Sequence, residues 1–111
     1  MSAGSADDLR HHVEEIDKLI HEPARLLLMV HLYVVDEADF VYLLDRTGLT
    51  AGNVSSHMKK LVDADYVEME KDFVANRPQT TYRLSNGGRT AFDAYRDNIA
   101  EILRMLPEEE R

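Results

Sequence analysis

The sequence predicts a mainly helical α+β fold in a single domain. Apolar residues recur every three or four positions in several separate segments, as they do in amphipathic helices. Two short segments, 66–71 and 80–84, instead alternate apolar and polar residues, which is typical of half-buried strands. The 111 residues, of which 44% are hydrophobic, suffice for one modest core, so a single domain over residues 1–111 is expected.

Two helices are expected before residue 36. The first, over about residues 8–20, is indicated by apolar residues at positions i, i+4, i+7 and i+11, namely Leu9, Val13, Ile16 and Ile20. Pro23 suits the first turn of the second helix, because the N–H that proline lacks would be unpaired there anyway. Residues 24–35 are nearly all apolar, so this second helix should be the most buried one.

A helix, a glycine turn and another helix are expected next. Asp39 can cap a short helix over residues 40–47, and Gly48 can take the left-handed conformation that ends it. Thr50 can then cap a helix over about residues 51–64. Its apolar residues share one face: Val54, Met58, Leu61 and Val62.

The opposite face of this helix is polar and basic, with Asn53, Ser56, Lys59 and Lys60. No acidic residue lies between Ala51 and Val62, although the chain as a whole has a net charge of −8. The local lack of carboxylates favours contact with phosphates and base edges of a nucleic acid. Acidic residues are concentrated instead at the two ends of the chain.

The C-terminal part predicts a β-hairpin followed by a long helix. Val67 and Met69 should face the core from the first strand, and residues 72–79 are expected to form a loop longer than a tight turn. Ser85 can cap a last helix over about residues 86–106. An apolar seam with spacings of three and four runs along it: Phe92, Tyr95, Ile99, Ile102 and Leu106.

Several sequence strings, in this order, resemble the small winged helix-turn-helix transcriptional regulators of the MarR and ArsR type. They are Ile20-His21-Glu22-Pro23-Ala24-Arg25-Leu26, Leu49-Thr50, Asn53-Val54-Ser55-Ser56-His57-Met58-Lys59-Lys60-Leu61, Ala64, Tyr66-Val67, Pro78-Gln79-Thr80-Thr81-Tyr82-Arg83-Leu84-Ser85 and Gly88-Arg89. The resemblance implies a two-stranded wing between flanking N- and C-terminal dimerisation helices. It also implies a homodimer on double-stranded DNA, with each recognition helix in a major groove and each wing at the backbone or minor groove.

Three positions depart from the family pattern. Asp65 stands where relatives usually have glycine, although aspartate tolerates a left-handed conformation better than most residues. Ala51 stands where relatives often have a basic residue, and Ala75-Asn76 replaces a wing tip that often carries glycine and a basic side chain. These changes remove phosphate contacts, so a lower affinity than in typical relatives is expected.

The predicted DNA-binding residues are Thr50, Asn53, Ser55, Ser56, His57, Lys59, Lys60 and Arg77. Lys59 and Lys60 can neutralise phosphates, and Asn53 can pair with adenine, but each also suits an ordinary solvated helix face. Ser55 lies toward the packed side, so its hydroxyl can contact a phosphate or bond a backbone carbonyl. Arg77 would reach the backbone or minor groove from the wing.

The last helix is expected to form the dimer interface together with the first one. A helix of some 20 residues extends beyond what a small winged core can cover, and an uncovered apolar stripe would remain exposed. The predicted interface residues are Leu9, Val13, Ile16, Phe92, Tyr95, Ile99, Ile102 and Leu106.

Other functions find less support. The chain has no cysteine, so disulfides, thiolate zinc sites and cysteine nucleophiles are excluded. Five scattered histidines, His11, His12, His21, His31 and His57, do not form a metal-ligand pattern, and no cofactor is expected. Ser55, Ser56 and His57 are neighbours only in sequence, which does not predict catalysis. No leader or bilayer-spanning run is seen, so a cytoplasmic protein without membrane contact is expected.

The resulting prediction is a homodimeric, sequence-specific transcriptional regulator, most simply a repressor that binds a pseudo-palindromic site. Two alternatives stay open. The acidic balance also suits a winged helix that binds another protein instead of DNA, and an effector or metal of unknown identity would make the chain a ligand-responsive switch.

Overall fold

The computed structural model describes residues 6–108, which form five helices and one antiparallel sheet. The helices are α1 (Ala6–Glu14), α2 (Pro23–Val35), α3 (Phe40–Thr47), α4 (Ala51–Asp63) and α5 (Asn86–Met105). The strands are β1 (Glu37–Asp39), β2 (Val67–Val74) and β3 (Arg77–Leu84), in the order β1-β3-β2. The prediction of a mainly helical α+β fold is confirmed.

The core is built around α2, as the apolar sequence of that helix predicted. Leu28, Met29 and Leu32 are completely buried. They pack in one cluster with residues from the other elements, among them Ile20, Leu43, Val54, Met58, Leu61, Val67, Tyr82, Leu84, Phe92 and Tyr95. The pair α3 and α4 and the sheet are therefore all held against one central helix.

The helix-turn-helix is formed by α3 and α4 with the caps that the sequence indicated. The Asp39 carboxylate accepts a hydrogen bond from the Tyr42 backbone N–H at 2.7 Å and so caps α3. Gly48, with φ of 73°, ends α3 in the left-handed conformation, and its N–H donates to the Leu44 carbonyl at 3.1 Å. Asp65, with φ of 63°, provides the left-handed residue after α4.

The first helix is shorter than predicted, because α1 ends at Glu14 instead of continuing to residue 20. The Asp17 side chain accepts hydrogen bonds from the backbone N–H groups of Leu19 and Ile20, at 2.9 and 3.2 Å, and so forms a turn. Ile20 is nevertheless completely buried. The apolar spacing therefore extends beyond the end of α1, because the non-helical turn at Asp17 also places Ile20 in the core.

Asp17 also accepts a hydrogen bond from the Tyr66 hydroxyl at 2.5 Å, which ties this turn to the start of β2. The bond, together with burial and the Asp17 charge, raises the pKa of Tyr66 to about 12. An unfolded tyrosine has a pKa of about 10, so the unfolded chain loses this proton first as the pH rises. The associated stability is therefore complete below pH 10 and is lost between pH 10 and 12.

We expect Tyr66→Phe to flatten this alkaline loss. The wild-type free energy of unfolding should fall more steeply between pH 10 and 12 than that of the variant, as measured by urea unfolding. Tyr42→Phe, which changes a tyrosine with no such bond to Asp17, is the matched control. Equal slopes in wild type and Tyr66→Phe would contradict the expectation.

The hairpin is longer and its turn tighter than predicted. β2 and β3 pair over their whole length, from Val67 opposite Leu84 to Val74 opposite Arg77. Only Ala75 and Asn76 remain in the turn, and both have positive φ, 53° and 66°. Such values are typical of a type I′ turn. The expected loop over residues 72–79 was wrong because alanine gives no signal for a left-handed position.

The sheet has a third strand that the sequence did not reveal. β1 pairs with β3, with Ala38 opposite Tyr82, and contains only three residues. Three residues are too few for an alternating pattern to be recognised.

Within residues 6–108, no helix combines the length and apolar character that crossing a bilayer requires.

Candidate nucleic-acid interface

The two faces of α4 differ sharply in burial and chemistry. Val54, Met58 and Leu61 are at most 1% exposed and fix the helix to the core. The solvent-facing residues are small, polar or basic: Ala51, Gly52, Asn53, Ser55, Ser56, Lys59 and Lys60. A helix held by one apolar face and free on the other can enter a major groove without moving away from its own core.

The start of α4 is fixed by Thr50. Its hydroxyl accepts a hydrogen bond from the Asn53 backbone N–H at 3.1 Å. This bond satisfies one of the free N–H groups at the helix start and sets the direction in which the first turn projects. Thr50 therefore acts on the position of Asn53, which was predicted to contact a base.

The two lysines of α4 are exposed but differ in their ion pairs. The Lys59 ammonium lies 3.0 Å from the Asp63 carboxylate, one helical turn away, and both side chains are mostly exposed. Such a pair contributes only about 0.3–0.5 kcal/mol, so a phosphate can displace it. Within residues 6–108, Lys60 has no ion pair, and its charge is available to an external anion.

His57 points back toward the core instead of outward. Its Nδ1 atom accepts a hydrogen bond at 3.1 Å from Nη1 of Arg25, because a guanidinium can only donate. Arg25 is buried to 9% exposure and also donates through Nε to the Leu19 carbonyl at 2.5 Å. His57 thus joins α4 to the start of α2 in place of the predicted position at the edge of the recognition face.

Glu22 completes this contact. Its carboxylate accepts a hydrogen bond from the Arg25 backbone N–H at 2.8 Å and caps α2. That bond is the main reason why the pKa of Glu22 lies below the usual glutamate value, and the charges nearby lower it further. His57 Nδ1 lies 3.8 Å from the same carboxylate. The carboxylate therefore holds the α2 start and offsets the buried Arg25 charge.

We expect His57→Ala to lower the free energy of unfolding and to have little effect on DNA affinity. Arg25 would lose an acceptor for a buried N–H, which costs about 1–2 kcal/mol in the free energy of unfolding. Urea unfolding measures this loss, with the exposed neighbour variant Ser56→Ala as the control, expected to stay within about 0.5 kcal/mol of wild type. An unchanged unfolding midpoint in His57→Ala, with a smaller salt dependence of DNA binding, would show that the imidazole contacts phosphate after all.

The wing, which is the β2–β3 hairpin, has two chemically different faces. Neighbouring residues of a strand point to opposite faces, so the register assigns each side chain. The face away from α4 is largely acidic: Arg83 lies 3.0 Å from Glu68 and 3.7 Å from both Glu37 and Glu70. A surface of this kind repels phosphate.

Arg77 was predicted as the DNA contact of the wing, and the structure places it at the tip, exposed, opposite Val74. By alternation it shares the acidic face, not the face toward α4. The residue that sequence reasoning missed is Lys71, which lines the groove between the wing and α4 together with Ser55 and Lys59. The sequence did contain a signal for this position, because Lys71 follows Val67 and Met69 at every second residue and therefore lies on the same face of β2.

The predicted interface residues fall into two groups. Phe92 and Tyr95 are only 9% exposed and belong to the core of this chain; Phe92 lies against Tyr33, and Tyr95 is hydrogen-bonded to His21 at 2.8 Å. Both leave almost no surface for a partner, so they are core residues of this chain instead of the predicted interface residues. Ile16 and Ile99 also pack against the core.

The ends of α1 and α5 remain largely uncovered. α1 has no buried residue, and it is held on α5 by two hydrogen bonds between His12 and Asn98, at 2.9 and 2.8 Å. Val13 is 51% exposed and Leu106 is 48% exposed. Among residues 6–108, no group of three histidine or acidic side chains is placed to hold a metal ion.

An α3–turn–α4 unit followed by a two-stranded wing defines a winged-helix protein. Residues 24–103 match the family model of the winged helix DNA-binding domain, and the chain belongs to this family. The resemblance proposed from the sequence is thereby confirmed.

Known proteins extend this assignment. An uncharacterized protein of Methanocaldococcus jannaschii is 34% identical over 88 residues, which cover 79% of this chain and 92% of that protein. A transcriptional regulator homologue from Pyrococcus horikoshii OT3 has the same fold, with a TM-score of 0.77, 23% identity and coverage of 87% of this chain and 94% of that one. MarR from E. coli in its apo form aligns with a TM-score of 0.57 and 17% identity over 94% of this chain and 87% of that one.

Proposed function

We propose that this chain is a sequence-specific, DNA-binding transcriptional regulator that acts as a homodimeric repressor in the cytoplasm. α4 enters the major groove and presents Asn53 and Ser56 to base edges, while Lys59 and Lys60 neutralise phosphates. Ser55 lies at the wall of the groove between α4 and the wing, where it can bond a phosphate. The chain would act without catalysis, by occluding a promoter.

The observation that carries the proposal is the charge of the α4 surface. The chain has a net charge of −8, yet the exposed face of α4 has no acidic side chain before Asp63 and carries two lysines. An acidic protein that keeps one projecting helix free of acid is suited to approach a polyanion with that helix alone.

The dimer is supported by the shape of the molecule. The radius of gyration is 17.2 Å and the extents are 63 × 31 × 21 Å. A compact chain of this length would have a radius of gyration of about 13 Å. The excess length and the exposed Val13, Leu103 and Leu106, which are 48–62% exposed, favour a second copy packed along α1 and α5. The proposed interface therefore centres on Leu9, Val13, Ile102, Leu103 and Leu106.

A two-fold dimer would place two recognition helices on one face of the duplex. Half-sites about one helical turn apart, as inverted repeats, are then expected. An effector, if one exists, would act by changing the separation of the two α4 helices, because only that geometry alters both half-site contacts together.

Selection of duplex DNA by the purified protein tests the proposal. A random-sequence duplex pool is bound at low salt and again near physiological salt, with a Lys59→Ala, Lys60→Ala variant alongside. Recovery of an inverted repeat that the variant does not recover supports a dimeric, sequence-specific regulator. Failure to retain any duplex, even at low salt, would contradict DNA binding and favour a winged helix that binds another protein.

A further inference from the structure

The face of the wing that looks toward α4 ends in an exposed aromatic side chain. Met69, Lys71 and Phe73 alternate along β2 on this face, and the register places Phe73 opposite Pro78. Phe73 is the second-last residue of β2, and 72% of its surface is exposed. Val74 is 55% exposed, but by alternation it lies on the opposite, acidic face.

A groove of about 410 Å³ separates this face from α4. Ser55 and Lys59 line it on the α4 side, and Met69, Lys71 and Thr80 line it on the wing side. Asp63 is also in the lining, but its carboxylate is paired with the Lys59 ammonium at 3.0 Å. The groove thus has one lysine on each wall, and the hydroxyl groups of Ser55, Thr80 and Tyr82 lie among its apolar side chains.

The dimensions of B-DNA connect these two observations. The major and minor grooves are separated by a single sugar–phosphate backbone, and they are about 12 and 6 Å wide. If α4 lies in the major groove, that backbone must pass between α4 and the wing, and the wing tip must then meet the neighbouring minor groove. Lys59 and Lys71 have the charge that a phosphate backbone in this position requires.

We infer that the groove between α4 and the wing receives the DNA backbone, and that Phe73 enters the minor groove as an apolar wedge at a base step. This inference rests on the proposed DNA binding. Lys71 holds the phosphates from the wing side. The phenyl ring partly unstacks one step, which bends the duplex toward the major groove.

The wedge predicts a sequence preference that needs no hydrogen bond to a base. Unstacking costs least at flexible pyrimidine–purine steps such as TA and CA. Phe73 lies two residues before Ala75 of the turn, and its exposed phenyl ring is the largest apolar group near the wing tip, which suits it to act as a wedge. The neighbouring carboxylate, Asp72, lies on the other face and accepts from the Phe73 backbone N–H at 2.7 Å.

The test uses a 30-base-pair duplex of mixed sequence with TA steps, in which 2-aminopurine replaces the adenine of each step. Unstacking of this base raises its fluorescence, so the probe reports the wedge and the binding in one titration. At low salt the wild-type protein should bind and raise the fluorescence. Phe73→Ala should abolish the rise and weaken binding about 10-fold, and Phe73→Leu should retain part of both.

Val74→Ala is the matched control, because it shortens the adjacent exposed apolar residue on the opposite face, and it should behave as wild type. Lys71→Ala should reduce the slope of log K against log salt by about 0.9 per chain while the fluorescence rise at saturation persists. Phe73 and Val74 are both exposed, so shortening either of them does not open the core. Circular dichroism of each variant checks that the fold is unchanged.

Three outcomes overturn the inference. If Phe73→Ala binds as wild type while Lys60→Ala weakens binding, the wedge is wrong and the proposed function stands. If wild-type binding produces no fluorescence rise, or if Val74→Ala loses as much as Phe73→Ala, the ring does not enter the stack. If the wild-type protein binds no duplex at low salt, the proposed function fails and the inference fails with it.

Discussion

Replacing Gly88 by alanine is expected to remove much of the stability of the fold. A Cβ at this position would lie 1.9 Å from the Tyr66 carbonyl oxygen and 2.8 Å from its carbon, and both atoms are backbone. The same carbonyl accepts a hydrogen bond from the Ser85 N–H at 3.0 Å, so it cannot move away without breaking the cap region of α5. A loss of about 3 kcal/mol or more is expected in the free energy of unfolding.

Urea unfolding followed by circular dichroism measures this loss, and Gly87→Ala is the matched control. A Cβ at Gly87 would lie 3.8 Å from the Asp65 carbonyl oxygen and 3.8 Å from the Ser85 hydroxyl, which are ordinary contacts. Alanine also favours helix, so Gly87→Ala should leave stability unchanged or raise it by up to about 0.5–1 kcal/mol. Similar unfolding midpoints for the two variants would show that α5 does not approach Tyr66 as closely as described.

Reversing the charge of Lys60 is expected to have the largest effect on DNA binding. Each phosphate contact changes log K by about 0.9 per decade of salt, so at about 0.1 M salt its loss weakens binding roughly eightfold. A dimer loses two contacts, which gives roughly 60-fold, and the slope against log salt should fall by about 1.8. Fluorescence anisotropy with a labelled duplex at several salt concentrations measures both quantities.

Lys18→Glu provides the control for net charge. Lys18 is exposed in the turn between α1 and α2, and the substitution changes the charge of the chain by the same amount. If a general repulsion were responsible, both variants would weaken binding equally. An unchanged salt slope in Lys60→Glu would contradict a phosphate contact at this position.

The helices could be predicted where local signals agree. α4 begins and ends within one residue of its predicted bounds, because Thr50 supplies a cap and Val54, Met58 and Leu61 supply a periodic seam. α1 was predicted too long, since periodicity cannot distinguish a helix from a turn that also buries Ile20. The wing turn was missed because alanine rarely adopts a positive φ. Pairing along the entire hairpin compensates for the backbone strain at Ala75.

The candidate interface could be predicted only in part. The exposed face of α4 followed from the spacing of Asn53, Ser56 and Lys60, which are three and four positions apart and which any helix places on one side. The direction of His57 did not follow, because it depends on Arg25, which is 32 positions away in sequence. The sharing of one groove by Lys71 and Lys59 depends equally on how the hairpin folds back over α4.

The sequence by itself determined the order of the five helices and of the β2–β3 hairpin, the caps at Asp39, Gly48 and Thr50, and the acid-free face of α4. Caps, periodicity and local charge are properties of neighbouring residues. The tertiary structure alone decided which side chains meet across elements. It buried Phe92 and Tyr95 within the chain, and it set Phe73 on the wing face toward α4. The physical reason is that burial and charge pairing depend on the distance between side chains in space, and this distance cannot be read from their separation along the sequence.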